Sequence, residues 1–246
     1  MLPVAILAGG LATRLRPITE KIPKALVDIE GEPFLAHQLR LLRSRGVTRA
    51  VLCLGYLGEL VRDWLGDGER FGLAVDYSFD GDRLLGTGGA LRRALALLGG
   101  PFFAMYGDSY LPCDFSAVEG AFSQAAKPAL MTVFRNAGRW DTSNVEFRDG
   151  QIVAYSKRHL TPAMQYIDYG LGILTPALFD EIRAGAFDLA EVYERLAQES
   201  RLAAFEVHER FYEVGSFAGL EAFREYLKQQ GPRSGAGGAA HSGDTR

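Results

Sequence analysis

Two glycines and two cations near the start of the chain have the residue types that bind a polyphosphate. Gly9 and Gly10 follow the apolar run at 4–7, and Arg14 and Lys24 come after them. Glycines at the end of a strand let the backbone approach a ligand closely and turn its N–H groups towards it. An arginine and a lysine supply the positive charge that a triphosphate needs. Because the net charge of the whole chain is −3, cations for an acidic ligand have to be local ones such as these.

A second glycine-rich stretch lies at 85–90 and reads Leu-Gly-Thr-Gly-Gly-Ala. It leads into a predicted helix, so the N–H groups of this stretch could face a ligand. Position 91 is a leucine, where the dinucleotide-binding fingerprint has its third glycine. Close packing of the helix against a glycine-rich turn explains the same residues, so both interpretations stay open at this point.

A carboxylate follows another apolar run, at 102–106. Gly107 and Asp108 stand directly after it. An aspartate at the end of a strand often forms a turn or caps a helix. Where a triphosphate binds, however, a carboxylate is needed to hold Mg²⁺. We therefore predict that Asp108 is a magnesium ligand.

Several common chemistries lack their residue patterns in this chain. No Gly-Lys-Ser/Thr follows the glycines, so there is no Walker A loop. No cluster of cysteine and histidine has zinc spacing, and there is no Gly-x-Ser-x-Gly elbow for acyl transfer. The four histidines are scattered and none is assigned to catalysis: His37, His159, His208 and His241.

Strands and helices alternate in the first half of the chain. Hydrophobic periodicity predicts strands at 4–7, 50–54, 73–79 and 102–106, and helices at 34–45, 57–65 and 90–98. This alternation predicts an α/β fold with a Rossmann-like, mostly parallel sheet and right-handed crossovers. In open sheets of this kind, ligands bind beyond the carboxyl ends of the strands, where the three stretches described above would meet.

The second half has a more mixed pattern. It predicts strands at 129–134, 144–147, 152–155, 167–174, 203–207 and 211–214, and helices at 176–184, 188–199 and 217–229. We interpret residues 1–230 as a single domain. Residues 231–246 are rich in glycine, alanine and serine, which predicts a disordered tail.

Composition and charge limit the compartment and the partners. Two cysteines are too few for a disulfide framework, and Cys53 lies in an apolar run typical of a buried core thiol. The chain has no leader pattern and no apolar run of ~18 residues, so we expect a cytoplasmic protein. The net charge of −3 gives no reason to expect nucleic acid or a membrane as a partner.

Residues 7–26 resemble the N-terminal signature of the sugar-1-phosphate nucleotidyltransferases. That signature has an apolar strand, Ala-Gly-Gly, an arginine, Pro-x-Thr and then Pro-Lys-x-Leu. The match continues with Gly31-x-Pro33-Phe34-Leu35, with 85–91 and with Gly107-Asp108, and it covers residues 4 to about 230. Within the family, the chain is most similar to short bacterial enzymes that use GTP with heptose 1-phosphate or mannose 1-phosphate.

The resemblance implies a GT-A-like nucleotidyltransferase fold with a nucleotide half at about 1–115 and a small mixed α+β sugar half at about 116–230. The implied nucleotide-binding residues are Ala8, Gly9, Gly10, Arg14, Lys24, Gly86 and Thr87. The implied sugar-phosphate-binding residues are Asn144, Lys157 and Asp168. Mg²⁺ is the implied cofactor, held by Asp108 and Glu213. Arg14, Lys24 and Asp108 form the implied catalytic set.

Two positions depart from the family's pattern. Ser156 precedes Lys157, where the family often has a glutamate that contacts a sugar hydroxyl. Glu213 stands in Glu-Val-Gly-Ser, where the family usually has the aspartate of Asp-x-Gly-Thr. Glutamate also binds Mg²⁺, but its extra methylene moves the carboxylate by about a bond length.

Other functions stay open at this point. Relatives use UTP with N-acetylmuramate 1-phosphate, or CTP with phosphocholine. A non-catalytic nucleotide-sugar sensor of the same fold is disfavoured because such proteins tend to lose residues equivalent to Arg14, Lys24 or Asp108. A dinucleotide-dependent oxidoreductase is disfavoured by the missing third glycine, and a molybdopterin-type nucleotidyltransferase by the Pro23-Lys24 spacing and the segments at 144–172. The expected partners are an NTP and a sugar 1-phosphate, bound by a monomer or homodimer.

Overall fold

The strands and helices are described for residues 1–182 and 185–230 in a computed structural model. The strands are β1 (Val4–Leu7), β2 (Asp28–Ile29), β3 (Glu32–Pro33), β4 (Arg49–Leu54), β5 (Ala74–Phe79), β6 (Phe102–Tyr106), β7 (Ser109–Tyr110), β8 (Ala129–Phe134), β9 (Val145–Arg148), β10 (Gln151–Tyr155), β11 (Ile167–Leu174), β12 (Leu202–Val207) and β13 (Tyr212–Glu213). The helices are α1 (Phe34–Ser44), α2 (Gly58–Leu65), α3 (Gly86–Leu98), α4 (Phe115–Ala125), α5 (Leu189–Gln198) and α6 (Phe217–Gln229). The tail predicted at 231–246 lies outside the described residues.

A seven-stranded sheet in the order β12-β8-β11-β6-β1-β4-β5 contains strands from both halves of the chain. Strands β5, β4, β1 and β6 pair in parallel, as do β12 and β8. Strand β11 is antiparallel to both of its neighbours, β6 and β8. The mostly parallel α/β sheet predicted from the sequence is confirmed. The reversal at β11 arises because the β9–β10 hairpin, rather than a crossover helix, connects it to β8.

Helices cover both faces of this sheet. Ile6 packs in a core cluster with residues of α1, α2 and α4, whereas its neighbour Ala5 packs with residues of α3 and α5. Strands such as β1 and β6 are buried on both faces, which is why they read as continuous apolar runs rather than as alternating patterns. The two layers of helices leave the carboxyl ends of the parallel strands free to form a ligand site.

A separate aromatic cluster attaches α6 to the segments that follow β1 and β6. It consists of Phe34, Tyr110, Tyr212, Phe223 and Tyr226, and its ring centroids lie 4.3–6.1 Å apart. Leu15 and Val27, from the long loop after β1, belong to the same core cluster. The last helix is therefore packed against the loop that carries the predicted phosphate-binding cations.

Several boundaries differ from those predicted. Helix α3 begins at Gly86 rather than at position 90, because the glycines of its first turn pack closely against Phe187. The helix predicted at 176–184 is a single 3₁₀ turn over Pro176–Phe179, and positions 183 and 184 lie outside the described residues. The Ile182 carbonyl oxygen would accept a backbone N–H if the helix continued. It accepts instead from the Arg92 side chain, at 2.7 Å. The strand predicted at 211–214 is shortened to β13.

Across residues 1–182 and 185–230, no helix is both long enough and apolar enough to cross a membrane.

Candidate active site

The loop after β1 brings the backbone of Ala8, Gly9 and Gly10 to the carboxyl edge of the sheet. The Ala8 N–H donates to the Cys53 carbonyl oxygen (2.9 Å), so the chain follows β4 for one more residue. A Cβ on Gly9 would lie 3.0 Å from the Gly55 nitrogen, whereas one on Gly10 would meet nothing within 4 Å. Gly9 thus permits the close approach of two chain segments, and Gly10 borders open space where a ligand can lie.

Side chains within the loop at 11–23 hold it in place. Leu15 is fully buried, and Thr19 Oγ1 donates to the Ala12 carbonyl oxygen at 2.7 Å. These contacts fix the backbone while the Arg14 side chain remains 64% exposed. An exposed guanidinium on an anchored backbone can meet a charged ligand without first ordering the loop.

Lys24 contacts the carboxylate that was predicted to hold Mg²⁺. Its Nζ donates to Asp108 Oδ2 at 2.8 Å, and the two side chains are 19% and 23% exposed. Asp108 comes directly after β6 and Gly107, where a Cβ would lie only 2.7 Å from the Leu7 carbonyl oxygen. The glycine therefore lets this aspartate stand next to the end of β1.

Arg14 pairs with the second predicted metal ligand, Glu213. Arg14 Nη2 lies 2.8 Å from Glu213 Oε1. Glu213 is on β13, which pairs antiparallel with β7 so that it faces Ser109, and the Val214 N–H donates to the Asp108 carbonyl oxygen at 2.8 Å. Two carboxylates that are distant in the sequence are thus carried by adjacent backbone segments.

The electrostatics of Glu213 fit a bound cation. Burial raises the pKa of the Glu213 carboxyl, and the negative charge of Asp108 raises it further, while Arg14 and Lys24 oppose the shift. Two carboxylates that raise each other's energy in this way favour a divalent cation between them. Within 1–182 and 185–230, no group of three or more metal-ligating side chains is present. One or two carboxylates together with substrate phosphates are the usual Mg²⁺ donor set in phosphoryl-transfer sites.

A cavity of about 240 Å³ adjoins these groups on the nucleotide side. Its lining residues are Leu7, Ala8, Gly9, Gly10, Lys24, Ala25, Cys53, Asp80, Leu84, Gly86, Thr87, Ala90, Tyr106, Gly107 and Asp108. All the predicted nucleotide-binding residues except the exposed Arg14 therefore border one space. Cys53 is one of these lining residues, and burial and then the charge of Asp80 raise the pKa of its thiol to about 12, which disfavours the reactive thiolate.

The glycine stretch at 86–89 is used mainly for packing. A Cβ on Gly88 would overlap the Phe187 ring, and the N–H groups of Gly88 and Gly89 both donate to the Phe187 carbonyl oxygen (3.0 and 3.3 Å). Those two N–H groups are already paired, so the expectation that the start of this helix presents its N–H groups to a ligand is wrong for them. Thr87 Oγ1 donates to Asp188 (2.6 Å) and accepts from the Leu189 N–H (2.8 Å), which caps α5.

A second cavity of about 340 Å³ lies on the other side of Asp108. It shares Tyr106 and Asp108 with the first cavity. Its other lining residues are Ser109, Asp141, Thr142, Asn144, Lys157, Leu160, Ile167, Asp168, Tyr169, Gly170, Phe211 and Glu213. The predicted sugar-phosphate residues are therefore brought together, next to both predicted metal ligands.

Asp168 and Lys157 give this second cavity its polar character. The Lys157 ammonium lies 3.3 Å from the Tyr106 hydroxyl and above its ring. The Asp168 N–H donates to Asn144 Oδ1 (2.9 Å), and Asp168 Oδ1 accepts from the Gly170 N–H. Burial raises the pKa of the Asp168 carboxyl, which the charge of Lys157 partly offsets. Tyr155 also acts on this carboxyl through a side-chain hydrogen bond that lowers its pKa, and the buried Oδ2 can accept a further hydrogen bond from a ligand hydroxyl.

More than half of the chain matches a known protein family. Residues 4–154 match the family described as "Nucleotidyl transferase". The chain belongs to this family. The resemblance, the fold class and the enzyme class predicted from the sequence are confirmed.

Two relatives show the range of substrates within this family. The chain is 31% identical over 223 residues to an N-acetylmuramate alpha-1-phosphate uridylyltransferase from Neisseria meningitidis serogroup B, a match covering 88% of this chain and 94% of that protein. It is 28% identical over 238 residues to mannose-1-phosphate guanyltransferase beta-A from Xenopus laevis, covering 92% of this chain and 66% of that protein. This nucleotidyltransferase thus spans about two thirds of the length of the frog relative.

A solved structure is similar over nearly the whole chain. HddC from Yersinia pseudotuberculosis, crystallised in complex with GMP-PN, has a TM-score of 0.76 and 25% sequence identity to this nucleotidyltransferase. The match covers 92% of this chain and 100% of that one.

The structure adds residues that sequence reasoning missed. Asp80 lines the nucleotide cavity, is 7% exposed, and accepts the Leu85 N–H on Oδ2 at 3.1 Å. Burial raises the pKa of its carboxyl. Tyr106 and Asp141 line the second cavity. Asp80 follows a predicted parallel strand, as Asp108 does, and that shared position was the signal that could have identified it.

Proposed function

We propose that this nucleotidyltransferase transfers a nucleoside monophosphate from an NTP to a sugar 1-phosphate, giving an NDP-sugar and pyrophosphate. The observation that carries the proposal is the pair of adjoining cavities that share Asp108 and Tyr106. One contains the glycine loop and Lys24, and the other contains Lys157. When the two substrates bind on either side of one carboxylate, the nucleoside monophosphate can pass directly from the NTP to the sugar 1-phosphate.

The reaction needs positioning and charge neutralisation rather than a general base. An oxygen of the sugar phosphate attacks the α-phosphorus in line with the departing pyrophosphate, and a phosphate dianion is already a competent nucleophile. Among the described residues that line the two cavities there is no histidine, which agrees with this mechanism. The barrier is lowered by holding both anions together and by stabilising the charge that develops on the leaving group.

Each cation has a role set by its position. Lys24 and Arg14 bind the triphosphate and neutralise the leaving pyrophosphate, and Lys157 holds the sugar phosphate. Asp108 and Glu213 would hold the metal, and a bound Mg²⁺ would neutralise phosphate charge. Each cation near the triphosphate is paired with one proposed metal ligand, Lys24 with Asp108 and Arg14 with Glu213. This complete set favours an enzyme over a non-catalytic sensor of the same fold.

The nucleotide cavity favours guanine over uracil. Guanine presents two adjacent donors, N1–H and the N2 amino group, whereas uracil presents a single N–H between two carbonyl oxygens. The Asp80 carboxylate can accept from the guanine pair, but it would repel the carbonyl oxygens of uracil. We therefore propose GTP as the nucleotide.

The second cavity favours an uncharged sugar. Besides the proposed metal ligands it contains the carboxylates of Asp141 and Asp168, and its single lining cation among the described residues is Lys157, which is assigned to the phosphate. N-acetylmuramate carries a carboxylate of its own, which these aspartates would repel. Mannose 1-phosphate and heptose 1-phosphate present hydroxyls, which can donate to Asp168. We therefore propose mannose 1-phosphate or heptose 1-phosphate as the acceptor.

A matrix of four NTPs against a panel of sugar 1-phosphates, assayed by released pyrophosphate, tests the proposal. GTP with mannose 1-phosphate or heptose 1-phosphate is expected to give the highest kcat/KM. A preference for UTP with N-acetylmuramate 1-phosphate would reject the proposed substrates, and no release with any pair would reject the proposed reaction. A cytoplasmic location and a monomeric or homodimeric state stay predictions.

A further inference from the structure

The first turn of α6 lies directly against the backbone of Glu213. A Cβ added to Gly219 would overlap the Glu213 carbonyl oxygen, far inside the 3.0 Å that real Cβ atoms respect, and would lie 3.1 Å from the carbonyl carbon. The overlapped atoms are backbone atoms, so no rotamer change can relieve the contact. A side chain at position 219 would therefore displace β13 or α6.

The helix itself gives no reason for glycine at this position. Gly219 lies inside α6 and has no left-handed φ. Within a helix, glycine is the least favourable residue apart from proline. Its N–H donates to the Oγ of Ser216, the N-cap residue of α6, at 3.1 Å, and a residue with a side chain could make the same bond. What requires glycine is thus the contact with Glu213.

Glu213 is also held by a second segment, besides α6. Its strand pairs with β7, where it faces Ser109, and the next N–H, of Val214, donates to the Asp108 carbonyl oxygen. The backbone at 213–214 therefore contacts both the first turn of α6 and the segment that carries Asp108. A displacement of this backbone would move the Glu213 carboxylate relative to Asp108.

We propose that Gly219 is a positioning residue for the metal site: by lacking a side chain, it lets the first turn of α6 hold Glu213 beside Asp108. This inference rests on the proposed function, in which Asp108 and Glu213 are the metal ligands. Gly219 touches neither the metal nor the substrates and acts through Glu213.

Binding of Mn²⁺ alone, followed by electron paramagnetic resonance without nucleotide or sugar phosphate, tests this role apart from turnover. Gly219→Ala is expected to weaken Mn²⁺ binding roughly 10-fold or more, as is usual when a group that orients a metal ligand is changed. Gly120→Ala is the matched control, because Gly120 lies within helix α4 and an added Cβ there would meet nothing within 4 Å. Equal Mn²⁺ affinity in wild type and Gly219→Ala would overturn the proposal.

A double-mutant cycle separates positioning from general damage. If Gly219 acts through Glu213, then adding Gly219→Ala to Glu213→Gln lowers Mn²⁺ affinity no further. Additive losses would overturn the proposal, because they would show that Gly219 affects the metal by another route.

Ser216→Ala covers the outcome in which Gly219→Ala does not fold. It removes the hydroxyl that accepts the Gly219 N–H and loosens the same turn without adding an atom. We expect Mn²⁺ binding to weaken about 2- to 3-fold, a smaller effect than that of a displaced ligand, and unchanged binding would overturn the proposal. Failure of the wild-type protein to bind Mn²⁺ would instead reject the proposed metal site, and the positioning role with it.

Discussion

At the scale of single residues, the centre of the site consists of two ion pairs on neighbouring segments. Lys24 pairs with Asp108, and Arg14 pairs with Glu213. The first pair is mostly buried and the arginine of the second is mostly exposed, so the two cations are expected to differ in importance. A preorganised charge in a partly desolvated site stabilises a developing anion more than an exposed charge does.

Lys24→Ala is expected to lower kcat by ~10²-fold or more, because it removes one preorganised contact to the leaving pyrophosphate. The matched control is Lys21→Ala, which removes a cation from an exposed position of the same loop. Pyrophosphate release under saturating substrates measures the effect. Near-normal turnover of the Lys24 variant would refute its role.

Asp80→Asn is expected to lower kcat/KM for GTP by ~10- to 100-fold, since a good bidentate contact to a base contributes ~1–3 kcal/mol to discrimination. The value for UTP should change much less. Asp82→Asn, in the exposed part of the same loop, provides the control. If the GTP and UTP values fall equally, Asp80 does not select the base.

Glu213→Gln is expected to stabilise the fold at neutral pH while weakening metal binding. Burial and the charge of Asp108 raise the pKa of Glu213 above that of an unfolded glutamate, so the folded state binds more protons there and loses stability as pH rises through the raised pKa. The gain from glutamine should be present at pH 7.5 and absent near pH 4, by denaturant unfolding.

The exposed Glu225 supplies the control for that comparison, and Glu225→Gln should show no such pH-dependent difference. A Glu213→Gln variant that is less stable than wild type at pH 7.5 would show instead that the ion pair with Arg14 outweighs burial and repulsion.

Residue identities were predictable where a local motif carries the chemistry. Gly9, Gly10, Arg14 and Lys24 stand in one short segment, so their spacing alone indicated an anion site. Asp80 could not be assigned in this way, because it belongs to no motif and its meaning depends on the neighbouring strand. The hydrogen bonds of the Thr87 hydroxyl could not be predicted either, since its partners lie at the start of α5.

At the scale of elements, the close packing of α3 and α5 determines where the nucleotide cavity ends. The first turn of α3 consists largely of glycine because the segment before α5 crosses it at the distance of direct backbone contact. The same contact places Gly86 and Thr87 at the rim of the cavity.

Gly88→Ala tests this packing. An added Cβ would overlap the Phe187 ring, and overpacking of this kind costs roughly 1–3 kcal/mol in the free energy of unfolding. Phe187→Ala in the same chain should relieve the clash. In contrast, Gly120→Ala in α4 is expected to stabilise the protein by about 0.5–1 kcal/mol, because the site is open and helical. Equal effects of the two glycine substitutions on unfolding would contradict this interpretation.

Elements buried on both faces were the most predictable. The bounds of β6, β8 and β11 agree with the apolar runs at 102–106, 129–134 and 167–174. The start of α3 was misplaced because glycine is a poor helix former, and tertiary contacts with Phe187 override that preference. The two-residue strand β7 was not predicted, and β13 was predicted only as part of a longer strand at 211–214, yet their pairing brings Glu213 to Asp108.

At the scale of the whole molecule, one sheet joins the two substrate cavities. Strand β6 ends at Tyr106, which both cavities share. Strand β11 runs antiparallel to β6, so Asp168, near the start of β11, lies at the same edge of the sheet. The sequence predicted the parallel half of this sheet from its alternating strands and helices. The antiparallel β11 could not be predicted, because the inserted hairpin replaces the crossover helix on which that rule depends.

The most direct test of the proposed reaction follows the two ends of the triphosphate separately. With [α-³²P]GTP and mannose 1-phosphate or heptose 1-phosphate, the label is expected in the sugar nucleotide, and with [γ-³²P]GTP it is expected in pyrophosphate. Both products should require the sugar phosphate and should be lost in Asp108→Asn. Label from the α-phosphate that appears as free GMP, or γ-label released as phosphate without the sugar phosphate, would contradict nucleotidyl transfer between the two cavities.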